Sequence, residues 1–149
     1  MICIGLFLGG LWISALIELA KAKGISTNVY LEDWSNGMRN SPEYVFQFLD
    51  FISGEEVEHV MLPDTLGVLT PSDSYKYVSE IKAKYPSLRI DFHAHNDYDL
   101  GVANVLEAVK AGADGIHLTL NGMGERAGNA PLASVVAVLN DFLPEVQTS

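Results

Sequence analysis

Residues 88–120 read LRIDFHAHNDYDLGVANVLEAVKAGADGIHLTL, and this stretch decides the fold. It opens with a β-rich run that predicts a strand over Leu88–His93. A helix follows, because apolar residues recur at helical spacing over Val102–Val109 and Gly112 is a typical helix end. A second β-rich run predicts a strand over Gly115–Leu120. The stretch is therefore a β-α-β unit, in which a helix connects two parallel strands.

The same pattern extends through the chain with a period of about thirty residues. Two further strands are predicted, over Thr27–Leu31 and His59–Leu62. Ser41 and Pro42 predict a helix start, through a capping hydroxyl and a proline in the first turn. Other helices are predicted to begin at Ser72 or Ser74 and at Pro131. The pattern predicts that strand and helix alternate without exception.

Such alternation is typical of a parallel sheet covered by helices, in either an open doubly wound sheet or part of a (β/α)8 barrel. Composition does not choose between these two folds. A complete barrel takes roughly 250 residues, whereas this chain has 149. Four β-α units would therefore be about half of a barrel.

Composition and charge exclude several classes of protein. With 48% hydrophobic and 19% charged residues, the chain suits one compact globular domain. Its net charge of −10 repels phosphate groups and argues against nucleic-acid binding. Cys3 is the single cysteine, so no internal disulfide is needed and a cytoplasmic location is expected. Any metal ion would be held by His, Asn or carboxylate side chains.

The N-terminal segment is atypical, because no charged residue occurs over Met1–Ile17. We divide the chain into this apolar segment, residues 1–14, and a domain of β-α units, residues 15–149. A membrane span needs roughly 20 apolar residues, and Glu18 and Lys21 interrupt the run. A signal peptide would begin with a basic region, which is absent, so a membrane anchor is the weaker alternative. Four apolar residues instead recur at helical spacing and predict an amphipathic helix. They are Ile13, Leu16, Ile17 and Ala20.

Polar residues gather where each predicted strand ends, which is the edge where parallel α/β proteins place their sites. They are Glu32 and Asp33, Asp64 and Thr65, His93 through Asp97, and Asn121 through Asn129. Each has a simpler alternative role, since Asp33 or Asp64 could cap a turn and Thr65 could start a helix. Their convergence on one edge nevertheless predicts a functional site.

His93 and His95 share one face of their strand with Asp91, because side chains alternate between the faces of a sheet. Two imidazoles on a buried strand need a compensating partner, and a divalent cation bound by neutral imidazoles is the commonest one. The alternative is a hydrogen-bonded structural pair. His59 and His117 lack this arrangement and are interpreted as ordinary strand or surface histidines.

The last strand is followed by a glycine loop, residues 121–129, with the sequence NGMGERAGN. Its three glycines allow the backbone to approach a ligand closely, and its polar side chains include potential ligands of a hard metal ion. The loop has neither the Walker spacing nor the dinucleotide fingerprint. The alternative is a surface loop in which Glu125 and Arg126 balance each other's charge.

Three motifs in this order resemble one family: LPDT at residues 62–65, HAHND at 93–97 and NGMGERAGN at 121–129. It is the family of metal-dependent acyl-CoA condensing enzymes that includes 2-isopropylmalate synthase, homocitrate synthase and citramalate synthase, relatives of hydroxymethylglutaryl-CoA lyase. The likeness covers Ala15–Leu143 and implies the last four β-α units of a (β/α)8 TIM barrel. The form of the glycine loop resembles the synthases more than the carbon-carbon lyases or aldolases, which are the alternative.

The resemblance also implies a site. A divalent metal ion, Mg²⁺, Mn²⁺ or Zn²⁺, would be held by His93, His95 and Asn129 and by an aspartate of the family's first strand. The metal would polarise a 2-oxo acid while acetyl-CoA loses a methyl proton and attacks, and thioester hydrolysis would follow. Thr65 would bind the carboxylate of the oxo acid, and Glu32 would be a catalytic residue near the reacting carbon. The reactions of this family belong to amino-acid biosynthesis, including that of leucine.

The resemblance implies that the first half of the barrel is missing from this sequence. We therefore expect the isolated chain to be inactive or nearly so, and its open sheet edges to favour a homo-oligomer or pairing with a separate half-barrel. Acetyl-CoA and a 2-oxo acid are the expected partners, without nucleic acid or membrane. A non-catalytic half-barrel is the alternative from a different class of protein.

Overall fold

The computed structural model of the protein describes residues 2–146. It contains one parallel sheet with the strands β1 (Asn28–Tyr30), β2 (His59–Asp64), β3 (Ile90–Ala94) and β4 (Gly115–His117). The helices are α1 (Ile2–Ala22), α2 (Trp34–Asn40), α3 (Pro42–Ile52), α4 (Pro71–Lys84), α5 (Gly101–Lys110) and α6 (Leu132–Phe142), and a short 3-10 helix covers Leu120–Gly122. The predicted α/β class with a parallel sheet is confirmed.

The strands lie side by side in chain order, β1-β2-β3-β4. Each helical crossover therefore moves the chain one strand further in the same direction, as in a barrel, whereas a doubly wound sheet reverses direction near its centre. The strand order thus favours the barrel over the open sheet. In the register of the sheet, Met61 lies beside Asp91, and His93 lies beside His117.

The two faces of the sheet differ in chemistry. The face toward the helices is apolar and contains the fully buried residues Val60, Leu62, Ile90 and Phe92. Phe92 also meets Trp34 of α2 edge-on, with 6.4 Å between the ring centroids. The opposite face, which corresponds to the inside of a barrel, presents Asp91 and His93 because these residues alternate with the apolar ones. The apolar face anchors the strands, so the polar face can be used for a site.

The prediction that strand and helix alternate without exception was wrong. After β1 the chain forms two helices in succession, α2 and α3. α2 has only seven residues, which is too short for a periodic apolar stripe to be recognised. It nevertheless buries Trp34 and Met38 in the core.

The predicted start of α4 was also wrong, because the helix begins at Pro71 rather than at Ser72 or Ser74. Its N-cap is Thr70, whose hydroxyl accepts the N–H of Asp73 while the Asp73 carboxylate accepts the N–H of Thr70. This reciprocal capping box satisfies two N–H groups that have no partner within the helix. At the start of α3, the predicted proline is in place, but the side chain of the preceding serine makes no capping bond.

The predicted amphipathic helix near the N-terminus is part of α1, and the proposed division between residues 14 and 15 lies within that helix. Ile17 is buried, whereas Leu16 is 63% exposed, so only part of the apolar stripe faces the core. Ser14 donates a hydrogen bond to Glu55 over 2.6 Å. In the part of the chain that the structure describes, no helix is long and apolar enough to cross a membrane.

Candidate metal centre at the carboxyl edge of the sheet

The predicted site residues lie at the carboxyl edge of the sheet, where the strands end. Glu32 follows β1, Thr65 follows β2, His93 is in β3, His95 directly follows β3, and Asn129 ends the glycine loop after β4. Parallel strands all have their carboxyl ends at the same edge. Residues far apart in sequence can therefore meet there.

The two histidines of the HAHND motif face each other. Their Nε2 atoms are 3.2 Å apart, and their rings meet edge-on at an interplanar angle of 81°. The side-chain alternation along β3 brings both rings to one face, as the sequence predicts. His95 is only 8% exposed, whereas His93 is half-buried, so His95 forms the more shielded side of the pair.

Asn129 completes a cluster of three potential donors. Its side-chain nitrogen, Nδ2, is 3.3 Å from Nε2 of His93, and the residue is only 7% exposed. A half-turn of the amide about its Cβ–Cγ bond would bring Oδ1 to the same place. The cluster therefore offers two imidazole nitrogens and one amide oxygen.

Backbone hydrogen bonds fix the position of Asn129. The N–H of Ala130 donates to the carbonyl of Ala94 over 3.2 Å, and the N–H of Asn129 donates to the carbonyl of Gly122 over 3.0 Å. Gly128 has a φ of +87°, and an added Cβ would collide with the Gly122 carbonyl. Glycine is therefore required at this position, because the loop closes tightly on itself just before the amide donor.

The protonation state of His93 suits a metal ligand. Burial lowers the pKa of its imidazole to about 4, with further contributions from His95 and His117, while the negative charge of Glu32 acts in the opposite direction. The ring is consequently neutral near pH 7, and a neutral imidazole has the lone pair that a metal ion requires.

The buried polar atoms of the cluster test whether the residues fit a metal ion. Oδ1 of Asn129 is buried without a hydrogen-bond partner, and a bound metal ion would compensate this costly unpaired atom. Nδ1 of His93 and Nδ1 of His95 are also buried and unpaired, but they are not the Nε2 atoms that face each other in the cluster. Within residues described by the structure, no group of three or more His, Cys, Asp or Glu side chains could hold a metal ion. The donor set therefore depends on the amide of Asn129, and its mixture of nitrogen and oxygen fits Zn²⁺ or Mn²⁺ better than Ca²⁺.

Glu32 and Thr65 are brought together at the same edge. The Thr65 hydroxyl donates to Oε1 of Glu32 over 2.7 Å and accepts the N–H of Asp33 over 2.9 Å. Asp33 has a φ of +55°, an unfavourable conformation for a residue with a side chain. Thr65 therefore does not start a helix, and it holds the turn after β1 against the turn after β2.

Asp64 is structural and does not face the donor cluster. Its carboxylate is fully buried and accepts the N–H groups of Val68 and Leu69, each over 3.0 Å. This is the turn-capping role that the sequence left open as the simpler alternative. Asn96 is similar, since its side-chain oxygen accepts the N–H of Gly101 at the start of α5.

His59 and His117 lie in β2 and β4, as expected of strand histidines, but each also has a polar partner. Nδ1 of His59 is 2.9 Å from Oδ2 of Asp91, and Nε2 of His117 is 3.4 Å from the same oxygen. The ring of His117 also meets that of His93, with 5.9 Å between centroids. His117 therefore lies beside the donor cluster, whereas His59 contacts Asp91 at the amino end of β2. The strand register, which is absent from local sequence, determines both contacts.

Arg126 makes contacts that the sequence did not predict. Its guanidinium donates to both carboxylate oxygens of Asp97, over 2.7 and 2.8 Å, and to the carbonyl of Thr65 over 2.7 Å. The pair lowers the pKa of Asp97 and raises that of Arg126, in both cases mainly through these hydrogen bonds. Glu125 is farther from the guanidinium, at 3.6 Å, so the alternative of a self-contained Glu125–Arg126 charge balance does not describe the loop.

The fold and the arrangement at the carboxyl edge define part of a TIM barrel. The chain belongs to the HMGL-like family, whose model matches residues 12–148. It is 37% identical over 127 residues to homocitrate synthase of Sulfolobus acidocaldarius, a match that covers 85% of this chain and 26% of that protein. It is 39% identical over 124 residues to a probable 2-isopropylmalate synthase of Archaeoglobus fulgidus, covering 83% of this chain and 24% of that protein. The chain thus spans about a quarter of the length of these relatives.

Solved structures share the fold. Hydroxymethylglutaryl-CoA lyase of Pseudomonas aeruginosa matches with a TM-score of 0.76 at 21% identity, over 91% of this chain and 47% of that one. The N-terminal domain of a putative aldolase of Bacteroides vulgatus matches with a TM-score of 0.73 at 24% identity, over 92% of this chain and 44% of that one. The structural likeness confirms that the four-stranded sheet corresponds to part of a TIM barrel.

Proposed function

We propose that this chain provides the metal-binding part of an acyltransferase that condenses acetyl-CoA with a 2-oxo acid, as in amino-acid biosynthesis. The observation that supports this most is the convergence of His93, His95 and Asn129, with 3.2 and 3.3 Å between their nitrogen atoms. The names of the relatives, homocitrate synthase and 2-isopropylmalate synthase, support a condensing reaction over a cleaving one.

In this proposal, His93, His95 and Asn129 hold a divalent ion, Mg²⁺, Mn²⁺ or Zn²⁺. When bound, the ion supplies Lewis-acid polarisation of the oxo carbonyl. The acetyl methyl group loses a proton to a base, a carbon-carbon bond forms to the oxo carbon, and water hydrolyses the thioester to release CoA. Three donors leave coordination positions for the oxo acid and for ligands from outside the described residues.

Thr65 and Glu32 receive the remaining roles. A hydroxyl has one proton to donate, and in this structure the Thr65 proton goes to Glu32. We propose that the carboxylate of the 2-oxo acid replaces Glu32 as the acceptor of this bond. The Glu32 carboxylate is then free beside the reacting carbon, where it is placed to accept or orient a proton.

The first test is metal binding by the 149-residue chain, because it depends only on donors within this sequence. Co²⁺ is titrated by calorimetry and visible absorption into the wild-type chain and into the double variant His93→Ala/His95→Ala. We expect binding by the wild type and none by the double variant, with His59→Ala as the matched histidine control. Equal Co²⁺ binding by the wild type and the double variant would contradict the proposed centre.

The reaction is tested separately from the metal. Because the chain alone is expected to be nearly inactive, it is first combined with a separately expressed first half of a related barrel. Release of free CoA thiol is then followed after mixing with acetyl-CoA, Mn²⁺ and either pyruvate or a larger 2-oxo acid. Condensation predicts thiol release only when both substrates are present. Cleavage of a 3-hydroxy acyl-CoA without condensation would instead support the lyase or aldolase alternative.

A further inference from the structure

We infer that Arg126 is a positioning residue that joins the loops after β2, β3 and β4 and so holds Asn129 within reach of the two histidines. This inference rests on the proposed metal centre and extends it to Arg126, which forms hydrogen bonds to Asp97 and Thr65 rather than to any of the three donors. Asn129 is the third donor, and Arg126 is the residue of the glycine loop that holds it in place.

The contacts of Arg126 span three loops with one side chain. Its guanidinium forms two parallel bonds to the carboxylate of Asp97, which follows His95 by two residues, and one bond to the carbonyl of Thr65. A planar guanidinium has a fixed fork of donors that suits such a bidentate contact, unlike the point charge of a lysine. The loop of the third metal donor is therefore bonded to the loops of the substrate residue and of the histidines.

Asp97, which accepts the hydrogen bonds of Arg126, packs closely against Gly67 in the loop after β2. Gly67 has a φ of +59°, and a Cβ added there would lie 2.9 Å from Oδ2 of Asp97 and 3.0 Å from its backbone nitrogen. Asp97 thus lies directly against the backbone of the loop after β2, a packing that only glycine permits. The carboxylate that receives Arg126 is consequently held from a second side.

The backbone of the loop also indicates a held conformation. Arg126 has a φ of +55°, which is unfavourable for a residue with a Cβ and persists only where surrounding contacts impose it. Residues 123–127, the tip of the loop, are exposed. The three bonds of Arg126 attach this exposed tip to the rest of the site, and Asn129 follows three residues later.

An arginine in a glycine loop could instead bind an anionic substrate directly. The geometry favours the positioning role, because both Asp97 oxygens already occupy the guanidinium and largely neutralise its charge. The two roles differ in a measurable way. A positioning residue affects metal affinity when no substrate is present, whereas a residue that only binds substrate does not.

The experiment therefore uses the metal alone, as Co²⁺, with the 149-residue chain. The variants are Arg126→Ala, Arg126→Lys, Asp97→Ala and the double variant Arg126→Ala/Asp97→Ala. Arg39→Ala is the matched control, because Arg39 also donates to a backbone carbonyl, that of Val68, and to a carboxylate, that of Asp73. Hydrogen exchange of the Asn129 and Ala130 amides, which close the base of the loop, is measured without metal.

We expect Arg126→Ala to weaken Co²⁺ binding by about 10- to 100-fold and to accelerate exchange at Asn129. Asp97→Ala should have a similar effect, and the double variant should add little to either single one, since both remove the same contact. Arg126→Lys should restore part of the affinity, and Arg39→Ala should change neither measurement. Unchanged exchange at Asn129 in Arg126→Ala would overturn the inference.

The two readouts separate this inference from the proposed function. If the wild-type chain binds no Co²⁺, the metal centre fails, while faster Asn129 exchange in Arg126→Ala alone still supports the positioning role. If Co²⁺ binds equally to the wild type and Arg126→Ala, the positioning role is refuted and the metal centre stands. The circular dichroism spectra of the alanine variants are compared with that of Arg126→Lys. A matching spectrum shows that an alanine variant is still folded.

Discussion

The Thr65 hydroxyl donates to Oε1 of Glu32 over 2.7 Å and at the same time accepts the N–H of Asp33. One small side chain therefore connects the turns after two neighbouring strands and sets the direction of a carboxylate. Because its only proton is already donated, a substrate carboxylate can bind Thr65 only by displacing Glu32. In the proposed function, substrate binding would therefore release Glu32 by replacing this single hydrogen bond.

Replacing Thr65 by valine tests this coupling, because the shape is kept and the hydroxyl is lost. We expect Thr65→Val to weaken binding of pyruvate to the Co²⁺-loaded chain by about tenfold or more, since a hydrogen bond to a charged group contributes about 1.5–3 kcal/mol. Isothermal titration calorimetry measures the affinity. Thr65→Ser should keep most of it, and Thr27→Val serves as a threonine control outside the site. Wild-type pyruvate affinity in Thr65→Val would rule out the assigned role.

Gly124 offers a test of the third donor from the opposite side of the loop. An added Cβ at Gly124 would collide with Oδ1 of Asn129, whereas at Gly54 the nearest atom would be 3.5 Å away. We expect Gly124→Ala to weaken Co²⁺ affinity by about tenfold or more, because the amide must move. Gly54→Ala should leave the affinity unchanged, which controls for the loss of a glycine in an exposed turn. A Co²⁺ affinity in Gly124→Ala equal to that of the wild type would show that the amide is not a donor.

The sequence predicts the pair of histidines because the relevant pattern is local, whereas Asn129 is assigned only through the family resemblance. Along β3, buried Ile90 and Phe92 alternate with Asp91 and His93, and this period of two is visible in a single short segment. It places both imidazoles of the HAHND motif on one face without knowledge of any other strand. The four strands are found for the same reason, since each is a short β-rich run.

Other parts of the site depend on pairings between distant residues. Asp97 and Arg126 are separated by 29 residues, and nothing near either residue specifies the other. His59 meets Asp91 only because β2 and β3 pair in one particular register. α2 was missed for a different reason, since seven residues do not establish a helical period. Local periodicity thus predicts the strands and the face of the sheet on which each side chain lies. The contacts between distant residues depend on how the strands and loops are arranged in three dimensions.

Phe92 shows how strongly the site depends on the apolar face of the sheet. It is fully buried directly before His93 and meets Trp34 edge-on. We expect Phe92→Ala to destabilise the chain by about 3–5 kcal/mol, through lost burial and the cavity that remains. Urea unfolding followed by circular dichroism measures this change. Tyr98→Ala, at a position that is 71% exposed, should cost less than about 1 kcal/mol, and a similar small effect at Phe92 would contradict the packing.

The capping box of α4 predicts a pH-dependent contribution to stability. Partial burial by itself would raise the pKa of Asp73, but hydrogen bonds from Arg39 and Thr70 hold it below its ordinary value of 3.8. Because the folded-state pKa is depressed, the ionised carboxylate stabilises the fold above about pH 3.8, and this contribution is lost as pH falls through the folded-state pKa. Asp73→Asn removes the charge while keeping the size of the side chain.

We therefore expect Asp73→Asn to lower stability by about 1 kcal/mol near pH 7 and by much less at an acid pH below the folded-state pKa of Asp73, where the wild-type carboxyl group is itself protonated. Thermal unfolding at both pH values measures the difference between variant and wild type. Asp141→Asn, in the exposed last turn of α6, is the matched control and should show no such convergence. A constant difference between Asp73→Asn and the wild type at both pH values would mean that the Asp73 charge does not stabilise the start of α4. Arg39→Ala should reproduce the charge-dependent part of the loss, because it removes the cation that Asp73 contacts at 2.9 Å.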